Sequence, residues 1–206
     1  MYLPPQFKAK EEAHALALMR AHPFANLIST EDAGFPCVTH LPLHLTQQEG
    51  QHVLLGHCAR ANPHWRYLQQ RPQALVTFMG PQAYMSPKVY PDLTRVPTWS
   101  YLAVHAKVDA TLIEEPTAKD QLLKRLIGDH EPAYANQWRE LAEDYQHKML
   151  NGIVAFELCI TELQCKLKLN QHRPESHASM YEAYANGTPD EQALAQWMVT
   201  LGMVQP

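Results

Sequence analysis

Between Phe24 and Gly80 the sequence runs through four strand-type segments with a single short helix among them. No other feature of the chain restricts its fold as strongly. The strand-type segments are 24–30, 35–45, 52–57 and 74–80, rich in alternating or continuous apolar residues and separated by turn residues. Glu31-Asp32-Ala33-Gly34 is a tight connection with glycine where a positive φ is needed. Strands in close succession, with few strand–helix–strand units, favour an antiparallel barrel over a parallel sheet. The reading is therefore mainly β with peripheral helices, an α+β chain built on an antiparallel barrel.

Helices surround this β region. One is expected over 11–21, stopping at His22-Pro23, and another over 63–70, started by Asn62-Pro63. The stretch 81–97, with Pro81, Pro87, Pro91 and Pro97, reads as a long ordered loop. A strand over 100–113 follows, then helices over 117–127 and 135–150, and a closing hairpin made of 152–160 and 164–169. The tail carries a helix near 175–185. A second begins at Thr188-Pro189-Asp190-Glu191, where a capping box coincides with proline in its favoured place. The expected division is a barrel domain over 1–173 and a helical extension over 174–206 packed on it.

Lys plus Arg number 17 and Asp plus Glu 21, a formal charge of −4, which gives no bulk support to DNA binding. No apolar run approaches the roughly 18 residues of a membrane-spanning helix. The N-terminus lacks the order of a secretion signal. Cys37, Cys58, Cys159 and Cys165 show no CxxC spacing, and the expectation is reduced thiols in a cytoplasmic protein. Phosphate loops of the GxGxxG or GxxxxGK[ST] type are absent. Ser29, Ser86 and Ser100 lack a nucleophile elbow, and there is no HExxH, so the residues do not predict hydrolysis.

The most informative stretch is Leu55-Gly56-His57-Cys58-Ala59-Arg60-Ala61-Asn62-Pro63. A strand ends, a bend carries one arginine, and a helix begins. A guanidinium beside helix-start amides suits an anion, with Ala61 and Asn62 supplying the N–H groups that Pro63 lacks. The plain alternative is a surface arginine beside an ordinary helix cap. In Thr39-His40-Leu41-Pro42-Leu43-His44-Leu45 the period of two sets Thr39 and the leucines on one face and His40 and His44 on the other. Thr39 and His40 then cannot both meet one ligand through their side chains. The two histidines have no identifiable third metal ligand, and no metal is expected. Trp99 either stacks on a planar ring or plugs the barrel end. Lys168 and Gln171 either reach an anionic ligand or belong to a solvated edge strand.

Several of these segments, in one order from Met1 to about Arg173, resemble the PaiB-type negative transcriptional regulators, an FMN-binding split-barrel family. They are MYLPPQF, PFANLIST, THLPLHL, LLGHCARANPHW, GPQAYMSPKVY, VPTWSYLAVHA and KLKLNQHR. The layout is also similar to that of the pyridoxamine-phosphate-oxidase-like flavoproteins. The resemblance implies a six-stranded split barrel and a homodimer with FMN at the subunit interface. It gives Arg60, supported by Asn62 and with His57 nearby, the flavin phosphate, and Thr39-His40-Leu41 the ring or ribityl chain. Lys168, Gln171 and Trp99 would come from the partner subunit. It further implies a regulatory role that reaches DNA directly or indirectly. The alternative reading is an FMN-dependent oxidoreductase acting on a small aromatic or haem-like substrate, since the flavin itself carries such chemistry.

Overall fold

The computed structural model describes residues 1–92 and 94–205. The described residues form seven strands: β1 (Phe24–Thr30), β2 (Pro36–Pro42), β3 (His44–Gln48), β4 (Gln51–Ala59), β5 (Gln73–Met85), β6 (Thr98–Ile113) and β7 (Ile153–Lys168). The helices are α1 (Glu12–Ala21), α2 (His64–Gln70), α3 (Pro116–Gly128), α4 (Tyr134–Glu140), α5 (Glu143–Asn151), α6 (His177–Ala185) and α7 (Pro189–Thr200). The strand order is β2-β1-β5-β6-β7-β4-β3, and the pairs β1/β2, β1/β5, β3/β4 and β4/β7 are antiparallel. Its two ends, β2 and β3, are separated in the chain by Leu43 alone. A strand order that returns to its own starting segment is that of a split barrel, with seven strands instead of the expected six.

The extra strand comes from a break in the segment expected to be one strand over 35–45. Pro42 has no N–H to give a ladder, and Leu43 N donates to Pro23 O at 2.9 Å instead. Leu43 is 2% exposed. It lies over Gly56 of β4, where a Cβ would approach Leu43 Cδ2 to 2.5 Å. Glycine at 56 is therefore what lets the bent strand close down on β4. In the turn before β2, Gly34 adopts φ +85°, as the sequence required.

Other boundaries moved for local reasons. β5 continues to Met85, so the expected loop over 81–97 is shorter and also holds a 3-10 turn at Pro87–Val89. Its β1 ladder ends at Thr77, and Pro81 lies beyond it. The expected closing hairpin is one strand. Thr161 Oγ1 donates to Lys107 O at 3.2 Å and Lys107 pairs with Glu162 at 2.6 Å, keeping the polar middle of β7 extended. The expected helix over 135–150 divides because Leu141 turns extended, ψ 146°. Gln146 Nε2 closes that break by donating to Trp138 O and Leu141 O, both at 2.9 Å.

The chain forms two compact units whose boundaries fall inside α1, β5, β6 and β7. One comprises Met19–Phe78 and His105–Leu163. Its core includes Leu27, Leu54, Phe78, Phe156 and Leu158, each at most 1% exposed. There α3 packs Leu122 and Leu126 onto Val53, Leu55 and Ala155. The other unit comprises Met1–Leu18, Met79–Val104 and Gln164–Pro206. Its core includes Leu102, Leu169, Met180, Leu194 and Met198, all fully buried. Tyr184 donates to Ser100 Oγ at 2.9 Å within it. α7 begins with the expected capping box, Thr188 and Glu191 each serving the other's backbone N–H.

Candidate functional site

The bend after β4 is held by four polar side chains of the first unit. His64, on the first turn of α2, is 1% exposed. Its Nδ1 lies 2.7 Å from Thr39 Oγ1 and its Nε2 lies 2.8 Å from Ser29 Oγ. Asn62 Nδ2 donates to Thr39 Oγ1 at 3.0 Å, and His64 N donates to Asn62 Oδ1 at 3.0 Å. Burial pushes the His64 imidazole below its ordinary value of 6.5, which favours the neutral ring. Thr39, Ser29 and Leu27 thus lie on the face of β1–β2 that α2 covers. His40 is exposed on the opposite face, across from Asn26. The alternation read from the sequence separates these two residues as expected, and Leu41 joins the core at 4% exposure.

Arg60 is fixed at the mouth of this bend by main-chain acceptors. Its Nε donates to Asn151 O at 2.8 Å, its Nη2 to Ile153 O at 3.2 Å, and its own N to Gly152 O at 2.9 Å. The guanidinium also stands 6.0 Å from the Trp65 ring centre, while Trp65 Nε1 donates to Arg60 O at 3.0 Å. These bonds orient the fork, and among the described residues Nη1 makes no hydrogen bond, which lets it meet an anion. Lys119, on α3, is 6% exposed and has no hydrogen bond from its ammonium among the described residues. Burial first, and then the nearby Arg60 charge, push its pKa below the usual lysine value, while Glu114 opposes them. Arg60, Trp65, Glu114, Lys119, Asn151 and Val154 line a cavity of about 330 Å³.

Glu115 does not neutralise these cations, since its carboxylate caps α3 through Thr117 N at 2.9 Å and Ala118 N at 2.7 Å. Of the two amides expected to serve an anion, those of Ala61 and Asn62, the Asn62 N–H is engaged by Ala59 O at 2.9 Å. α2 is only seven residues long, and its first amide already serves Asn62. Positive side chains, not the helix, therefore make this place suitable for a phosphate. His57, opposite Ala155 on β4, has a buried Nδ1 without a hydrogen-bond partner, and burial lowers its pKa. Ala61 is exposed in the bend.

Trp99, Lys168 and Gln171 belong to the other unit. Lys168 Nζ donates to Thr98 Oγ1 and Trp99 O, each at 2.7 Å, and stands 5.6 Å from the Tyr101 ring centre. Trp99 is 55% exposed and meets Tyr84 edge-on at 6.3 Å. The Gln171 amide is engaged by its own strand, accepting from Leu169 N at 3.1 Å and donating to Leu167 O. Sequence reasoning did not single out His64, Trp65 or Lys119. His64 and Trp65 stood in view, directly after Asn62-Pro63. Lys119 is distant in the chain and carried no local signal.

The whole first part of the chain, residues 1–162, matches the family model described as "Putative FMN-binding domain". The chain belongs to this family. FMN is the cofactor for which the family is named, and the Arg60–Lys119 pair, with Glu114 as the one carboxylate in the cavity lining, fits that cofactor's phosphate. The chain is 32% identical over 205 residues to the "Protease synthase and sporulation protein PAI 2" of Bacillus subtilis, covering 96% of each. It is 28% identical to an uncharacterised protein of Saccharomyces cerevisiae over 61% of this chain and 86% of that one. In fold it is similar to the flavocytochrome Anf3 of Azotobacter vinelandii, with TM-score 0.62, 18% identity, and coverage of 80% and 70%. The FAD and heme binding protein of Mycobacterium smegmatis gives TM-score 0.61 and 18% identity, with coverage of 78% and 73%. Among the described residues no helix is long and apolar enough to cross a membrane.

Proposed function

We propose that this chain is a regulatory flavoprotein that binds FMN as a homodimer, its phosphate held by Arg60 and Lys119. The observation that carries this reading is the pair itself: an arginine pre-oriented by two carbonyls beside a lysine whose side chain is largely buried and whose ammonium makes no hydrogen bond among the described residues. A phosphate brought there relieves the repulsion between the two cations and satisfies both. Thr39, Asn62 and His64 act one step back, by fixing the bend from which Arg60 projects. His57 adds a further polar atom to the same stretch, and Trp99 and Lys168 of the second subunit are assigned to the flavin. When bound, FMN supplies hydride or one-electron chemistry, and the protein's part is to hold and orient it.

An uncovered apolar face supports the homodimer. Phe24 and Pro42, Ile28 and Val38, and Thr30 and Pro36 are facing pairs of β1 and β2. Phe24 is 66% and Val38 47% exposed on that face, with His40 between them. Exposed apolar side chains on a sheet face, here interrupted by the Asn26–His40 pair, suit an interaction surface with a polar centre. The regulatory part of the reading rests on the relationship to PAI 2 and on the family resemblance. It is tested by salt-dependent, sequence-selective retention of DNA, against which the acidic balance of the chain works.

Titration of FMN fluorescence tests the site. Arg60→Ala is expected to weaken binding by about 1.5–3 kcal/mol, the cost of a hydrogen bond to a charged group, and Lys119→Met by a similar amount. Unchanged affinity in both variants would place the phosphate elsewhere.

A further inference from the structure

The unit formed by residues 1–18, 79–104 and 164–206 contains a cavity of about 750 Å³ to which the flavin reading gives no role. Its lining includes Lys8, Lys10, His14, His172 and His177, with Glu11 as the acidic side chain among them. That volume is within the range of small-molecule sites, and a few convergent polar groups in such a space are what a ligand site needs. His14 has a buried Nδ1 with no hydrogen-bond partner, while its ring meets Trp197 edge-on at 6.0 Å. His177 is 9% exposed and fixed by a bond from Nε2 to Asn170 O at 3.1 Å. His172 is held edge-on by Phe7 at 5.4 Å.

Nothing in this lining balances the positive side chains except Glu11. Two lysines and three imidazoles converge on a space large enough for a metabolite. From this we infer that the cavity is a second ligand site, for a small organic anion bearing phosphate or carboxylate groups, separate from the flavin. The lysines would meet the charged end, and the imidazoles would donate hydrogen bonds and present flat apolar edges to the rest. Burial first, then the neighbouring Arg173, lower the His172 pKa while Glu175 opposes them, and a bound anion would act in the same direction as Glu175.

The test is calorimetric titration of the intact protein with inorganic pyrophosphate, citrate and AMP, each with and without saturating FMN. Saturable binding of at least one probe is expected. It should weaken about tenfold or more in the Lys8→Ala/Lys10→Ala double variant and in His172→Gln, the loss expected of charge-assisted hydrogen bonds. Both lysines and His172 are exposed, so these variants should fold, and Lys148→Ala of the other unit should bind normally. Equal affinity for pyrophosphate and AMP assigns recognition to the anion alone, whereas tighter AMP assigns part of it to the ring. The inference is overturned if no probe gives saturable heat or if the variants bind unchanged. Parallel loss of flavin absorbance in these variants would also overturn it, by making the cavity part of the FMN site. Failure of FMN to bind the unaltered protein would count against the flavin reading alone.

Discussion

Thr39 Oγ1 lies 2.7 Å from His64 Nδ1 and accepts from Asn62 Nδ2 at 3.0 Å, so one hydroxyl joins a strand, a bend and a helix. Ser29 at Nε2 leaves no ring nitrogen of His64 without a partner. This arrangement converts a run of ordinary residues into a rigid base for Arg60.

Removing the imidazole should therefore cost stability as well as order. His64→Ala leaves the buried Ser29 hydroxyl without this partner, takes one of two partners from the half-buried Thr39 hydroxyl, and opens a hole under α2. The expected loss is about 2–4 kcal/mol, read from the urea midpoint at constant m-value. His64→Gln, which keeps a polar head, should lose less.

Stability should also fall in mild acid. Burial holds His57, His64 and His105 below 6.5 in the folded state. Above that pH both folded and unfolded histidines are neutral, and they add no pH dependence. As pH falls below 6.5, the unfolded chain takes up protons that the native rings refuse, and stability is lost. The slope is at most about 1.4 kcal/mol per pH unit for each such histidine. Thermal melts from pH 8 to pH 5 measure it, and His64→Gln should flatten the curve.

Much of the fold was legible in the sequence because local chemistry set it. Asn62-Pro63, the turn at Gly34 and the Thr188–Glu191 capping box are sited by residues within a few positions of one another. Where the reading failed, a distant partner decided. The polar middle of β7 looks like a turn until Lys107 of β6 is beside it, and the break at Leu43 needs Pro23 and Gly56. The candidate site divides in the same way. Arg60 was visible in its bend, but Lys119 reaches it only through the packing of α3 on β4.

Gly56→Ala probes that break directly. The added methyl would meet Leu43 Cδ2 at 2.5 Å and Phe156 Cε2 at 3.0 Å. A loss of about 1–3 kcal/mol is expected from overpacking, measured by chemical unfolding. A neutral result would mean that the Leu43 side chain moves aside freely.

Charge placed on the uncovered β1–β2 face should separate the subunits. Val38→Glu is expected to shift sedimentation from dimer to monomer while leaving the circular dichroism spectrum intact. A dimer as tight as the original would put the interface on another surface.

The most direct measurement is the stoichiometry and absorbance of FMN bound to purified protein, with mass determined on the same sample. The expected result is a yellow dimer carrying one flavin per subunit, whose flavin is lost when Arg60 and Lys119 are both neutralised. Protein that leaves free FMN fluorescence unquenched at micromolar concentration, or a monomer that retains the flavin fully, would contradict it.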